Sequence, residues 1–113
     1  MSGAPAESSV EVRNRVVAAR ARQAARLART PARCNGDMSS AQVQRLCRVE
    51  GAAREVLQSA HERVGLTVRG HHRVLRVART LADIDGREAI ERSDVAQAVA
   101  YRELGAADLA QAS

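Results

Sequence analysis

The chain has 113 residues, enough for one small domain with a core of modest size. It contains a single aromatic residue, Tyr101, with no Phe and no Trp, which argues against the ring platform on which single-stranded nucleic acid stacks and leaves Ala, Val, Leu and Ile to build the interior. The formal charge is +5, and all 18 basic residues are arginine.

The charge is uneven. Residues 1–39 hold seven arginines against Glu7, Glu11 and Asp37, whereas residues 40–113 hold eleven against ten acids. A positive domain is compatible with nucleic acid, but the nearly balanced remainder reads as ordinary solvated surface. No apolar run is long enough for a signal peptide or a membrane span. With Cys34 and Cys47 the only cysteines and no histidine at ligand spacing, no zinc site is expected. His61, His71 and His72 do not complete one, and the cysteines read as two reduced cytosolic thiols.

Residues 1–8 (MSGAPAES) read as a disordered segment. Ser9 is placed to cap a first helix over 10–29, with Val12, Val16 and Ala19 on one face, and Thr30-Pro31 ends it. A loop over 32–38 follows. Ser39 with Gln42 forms a capping-box pattern that opens a short helix to about Arg48. A third helix over 50–64 turns Ala53, Val56, Leu57 and Ala60 inward and stops at Gly65. The fourth, over 67–85, has Thr67 at its N-cap and Gly86 just past its end. Ser93 is placed to cap a last helix over 94–103, burying Val95, Ala98, Val99 and Leu104. Residues 105–113 form a frayed tail. The expectation is an all-α fold, a compact bundle of about five helices spanning 9–104.

The fourth helix carries the strongest signal. At about 100° per residue, Val74, Leu75, Ala78, Leu81 and Ala82 share one side. Arg69, Arg73 and Arg76 recur at i, i+4 and i+7 on the other side, with Arg79 at its edge. An arginine in the first turn of a capped helix can aim its guanidinium at an anion. The stripe admits three readings: Arg69 contacts a phosphate held by another domain, the stripe follows a nucleic-acid backbone, or it is a solvated face. Asp83 and Asp85 close the helix and read as a surface turn with local hydrogen bonds, and His72 reads as a packing residue at the boundary. A stand-alone enzyme has no support, since there is no Gly-rich phosphate loop, no nucleophile–base pair in recognisable context and no paired-carboxylate site.

The run from Thr67 through Arg69-Gly70, Arg73, Leu75-Arg76, Ala78-Arg79-Thr80 and Ala82-Asp83, ending at Tyr101-Arg102, resembles the C-terminal domain of the magnesium-chelatase-related AAA+ ATPases, in their bacterial competence-protein group (ComM/YifB-like). The segments Glu7-Ser8-Ser9, Val12-Arg13, Arg15-Val16, Ala19-Arg20 and Arg22-Gln23 are similar to the helix joining the AAA+ core to its lid. The resemblance implies a helical lid over a nucleotide, with Arg69 as the "sensor 2" arginine touching the terminal phosphate. Arg73, Arg76 and Arg79 are weaker candidates for phosphate or interface contacts, and no residue is assigned to a metal. It further implies a P-loop core in the same chain, neighbouring subunits in a hexameric ring, a cytoplasmic motor that translocates DNA, and ATP with Mg2+ bound by the full-length parent only. No Walker motif lies in the 113 residues, so the chain is expected to be an excised or shortened piece that does not hydrolyse ATP by itself. The rival expectation is an independent basic helical module that binds nucleic acid or serves as a protein adaptor.

Overall fold

A computed structural model describes residues 8–101, and every regular element in that range is helical. α1 runs Ser9–Arg26 and is opened by a full capping box, in which Ser8 Oγ accepts from Glu11 N at 3.1 Å and Glu11 Oε2 accepts from Ser8 N at 3.3 Å. The cap is therefore Ser8 rather than Ser9, because only Ser8 has a glutamate three residues on. α1 also ends before Arg29, where the Thr30 hydroxyl donates to Leu27 O at 2.8 Å and turns the chain toward Pro31. The following loop contains a 3₁₀ turn over Asn35–Asp37.

α2, Ser40–Leu46, carries the expected Ser39/Gln42 capping box. α3, Gly51–Val64, ends at Gly65 with φ 62° and ψ 59°, the left-handed conformation that glycine adopts without a Cβ penalty. α4, Val68–Ile84, begins at Thr67, whose hydroxyl accepts from Gly70 N at 3.0 Å. It closes in a Schellman turn: Gly86, at φ 74°, donates to Asp83 O, and Arg87 N donates to Ala82 O. α5 occupies residues 92–101. Its opening differs from the expected Ser93 cap, because Ser93 is exposed inside the first turn. The buried Asp94 carboxylate instead reaches back to Glu91 N at 2.8 Å. The expected burial of Leu104, the tail 105–113 and residues 1–7 lie outside the described residues.

α4 is the element against which α1, the 3₁₀ turn and α2 pack. Its apolar side joins Ala53, Leu57 and Ala60 of α3 and Ile90, Val95, Ala98 and Val99 at the C-terminal end in one core. Leu27, Met38, Val43 and Cys47 close that core from the N-terminal side. Alanines at the contacts (Ala60, Ala78 and Ala82, all 0 % exposed) let the helices approach closely. α1 departs from its expected packing: Val12 and Val16 are 42 % and 38 % exposed, and only Ala19 and Gln23 of this helix are buried. The reason is reach, since the exposed residues 8–18 lie beyond the part of α1 that is fastened to α4.

Candidate functional site

At the start of α4, Thr67, Arg69, Gly70, Arg73 and Arg76 line a concavity of about 430 Å³. Thr67 caps Gly70 N, while a helix leaves its first N–H groups without intrahelical acceptors and carries the positive end of its dipole there. Arg69 and Arg73 stand one turn apart, are exposed, and have no ion pair or hydrogen bond among the described residues. Arg76 lines the same concavity but is partly committed, because its Nε and Nη2 donate to Met38 O at 3.2 and 2.8 Å. The i, i+4, i+7 stripe thus meets at one place. What it offers is two free guanidinium groups and a helix N-terminus, a set suited to an oxyanion.

Arg79 does not join them. It is 4 % exposed, and its guanidinium donates to Glu88 O at 2.7 Å and Arg87 O at 2.9 Å, so it pins the loop after α4 rather than facing a phosphate at the helix start. Asp83 likewise departs from the surface turn expected for it. It is 0 % exposed and sits at the centre of a polar cluster joining α1, the 3₁₀ turn and α4. Arg26 grips its carboxylate in a bidentate pair at 2.9 and 2.6 Å, Asn35 Nδ2 donates at 2.9 Å, and Arg79 Nη2 lies 3.4 Å away. Asn35 also donates to the Thr80 hydroxyl and, from its backbone, to Gln23 Oε1. Burial would raise the Asp83 pKa, but the hydrogen bonds from Arg26 and Asn35 and the charges of Arg26 and Arg79 outweigh it and hold the carboxyl below its ordinary value.

Sequence reading missed this cluster because Asn35 and Arg26 reach Asp83 across 48 and 57 residues. The local signal was the Arg79–Asp83 spacing of i, i+4.

Two other groups are defined by their surroundings. His61 Nε2 and His71 Nδ1 are 2.7 Å apart, with ring centroids separated by 4.9 Å, and His72 is buried beside them. Burial, followed by the charges of His61 and His72, lowers the His71 pKa. Cys47 is buried and its thiol is pushed up to about 11, first by burial, whereas Cys34 is exposed; both are free. Among the described residues no three His, Cys, Asp or Glu side chains come together as a metal site, and no helix is long and apolar enough to cross a membrane.

Comparison with known proteins follows the same residues. YifB of Escherichia coli is 38 % identical over 98 residues, covering 87 % of this chain and 19 % of the relative. Competence protein ComM of Haemophilus influenzae is 33 % identical over 101 residues, covering 89 % of this chain and 19 % of ComM. The Mycobacterium tuberculosis protein Rv2897c is 39 % identical over 105 residues, covering 93 % of this chain and 21 % of that protein. The chain thus spans about a fifth of the length of these relatives. No solved structure matches it. The profile of the family described as magnesium chelatase, subunit ChlI C-terminal, matches residues 6–102, which include α1, the Asp83 cluster and the whole of α4. With that match and these relatives, the chain belongs to the magnesium chelatase subunit ChlI C-terminal family.

Proposed function

We propose that this domain is the helical lid of a ChlI-like AAA+ ATPase and that Arg69 senses the terminal phosphate of a nucleotide bound to a P-loop core in the same chain. The observation that carries the reading is the free guanidinium of Arg69 in the first turn of a helix capped by Thr67, with the free Arg73 one turn behind it. A guanidinium keeps its charge at all physiological pH values and binds phosphate oxygens in a bidentate way. Its affinity for a triphosphate over a diphosphate would favour the closed lid only before hydrolysis, which couples turnover to domain motion. Mg2+ and ATP are held in this reading by the full-length parent, where the core supplies most phosphate contacts. Arg73 and Arg76 then support the same anion or a neighbouring subunit of a ring, and in this reading the motor works on DNA.

The test is ATP turnover by the full-length parent carrying Arg69→Ala, with its unfolding midpoint measured alongside. Loss of one charge-assisted phosphate contact predicts a fall of roughly 10- to 100-fold with folding intact. Unchanged turnover in a folded variant would sink the sensor assignment. The rival reading, an independent nucleic-acid module, requires duplex binding by the 113-residue chain alone that weakens steeply with salt.

A further inference from the structure

A second cavity, of about 450 Å³, shares no lining residue with the concavity at the start of α4. Its wall brings together Arg22 and Arg26 of α1, Arg45 of α2, Arg79 of α4, and Arg87 and Glu88 of the loop that follows. Not all of these charges are spoken for. Arg26 is neutralised by Asp83, and Arg87 by Asp85, Glu91 and Asp94. Arg22 makes its hydrogen bond to a backbone carbonyl, Asp83 O at 3.3 Å, and has no carboxylate partner. Arg45 is exposed and has no ion pair or hydrogen bond among the described residues. Arg79 shares the already gripped Asp83 at 3.4 Å. Its Nε is the one buried side-chain nitrogen or oxygen without a partner among the described residues.

We propose that this cavity is a binding site for a small phosphate-bearing polyanion of di- or triphosphate size. Three elements, α1, α2 and α4, hold the guanidinium groups of Arg22, Arg45 and Arg79 on one wall, and guanidinium is the group best matched to several phosphate oxygens at once. Arg79 lines the cavity as a fixed charge, because its terminal nitrogens are held by Glu88 O, Arg87 O and Asp83. The cavity lies in the size range of small-molecule sites and exceeds what one water fills. With Glu88 in the wall, the charges of Arg22, Arg45 and Arg79 leave a surplus of two, so a single carboxylate from a ligand would leave positive charge over, whereas a phosphate-bearing anion would neutralise it. The site is separate from the Arg69 reading and stands or falls without it.

The experiment titrates the 113-residue chain with sodium pyrophosphate and tripolyphosphate at fixed ionic strength. Calorimetry reads the affinity, and 15N NMR follows the arginine Nε–Hε signals. Saturable binding is expected, with the Arg22 and Arg45 Nε–Hε signals shifting. The exposed-side substitution Arg45→Ala should weaken binding about tenfold, as should Arg22→Ala, while Arg54→Ala, outside both cavities, stays within about twofold. Three results would overturn the proposal. The first is an absence of saturable binding, as a water-filled cavity would give. The second is an affinity that follows Arg69 rather than Arg45, which would place the anion at the start of α4. The third is an Arg45-dependent preference for duplex DNA over tripolyphosphate, which would make the wall a nucleic-acid contact.

Discussion

The two ends of α4 carry the same residue type and use it in opposite ways. At the N-terminal end, Arg69 and Arg73 are exposed and unpaired, and they border an open concavity. At the C-terminal end, Arg79 and Asp83 are buried, and α1 and the 3₁₀ turn bring Arg22, Arg26 and Asn35 onto them. The polar side of the helix is continuous in sequence, yet α1 is fastened over only its last two turns. What separates a structural arginine from one available to a ligand is therefore whether another element covers it, and helical periodicity does not record that.

The contrast can be broken at its buried end first. Asp83→Ala leaves the Arg26 and Arg79 guanidinium groups without their shared carboxylate, and urea unfolding should show a loss of about 3–5 kcal/mol. A loss below about 1 kcal/mol would show that the cluster is not what joins α1 to α4.

Glycine substitutions sharpen the picture at the same end. Gly86→Ala should cost about 2 kcal/mol or more, because a Cβ there meets both the left-handed φ of 74° and Arg22 Nη2 at 3.3 Å. Gly65→Ala, at φ 62° with no atom within 4 Å of the added Cβ, should cost only about 1 kcal/mol. The difference between the two unfolding midpoints reads the Arg22 contact.

A smaller effect belongs to His71. The folded protein holds this group below its ordinary value, so the unfolded chain takes up the proton first. Its contribution to stability is full above about pH 6.5 and declines as the pH falls from there toward the folded pKa. Urea midpoints measured from pH 7.5 to 5.5 should fall for the parent chain and fall less for His71→Gln. Equal slopes would mean that burial, with His61 and His72 beside it, does not hold the His71 pKa down in the folded chain. Smallest of all are Arg69→Ala and Arg73→Ala, each expected to leave stability within about 0.5 kcal/mol of the parent, since neither side chain touches a partner.

Much of the fold is legible in the residues because its signals are local. Ser39 with Gln42, Thr67 with Gly70, and the glycines at 65 and 86 mark helix ends through contacts spanning a few residues, and the structure keeps them. The apolar side of α4 is equally readable. The failures share one cause, which is coverage by distant elements. Val12 and Val16 have the spacing of a core face but lie where α1 runs clear of α4, while Asp83 has the spacing of a surface residue and is sealed by Arg26 and Asn35. Asp94 displaced Ser93 as the residue organising the start of α5 because Arg87, seven residues earlier, holds its carboxylate in place with two contacts of 2.7 Å. At the candidate site, the meeting of Arg69, Arg73 and Arg76 was readable from the i, i+4, i+7 spacing, whereas the partial commitment of Arg76 to Met38 O was not.

The division of α4 into a structural end and an available end is tested most directly by urea unfolding of Arg69→Ala and Arg79→Ala side by side. Arg79→Ala should lose about 2–4 kcal/mol, because it strands Glu88 O, Arg87 O and part of the Asp83 charge, while Arg69→Ala should match the parent within about 0.5 kcal/mol. Equal losses in the two variants would contradict the division and make Arg69 one more structural arginine.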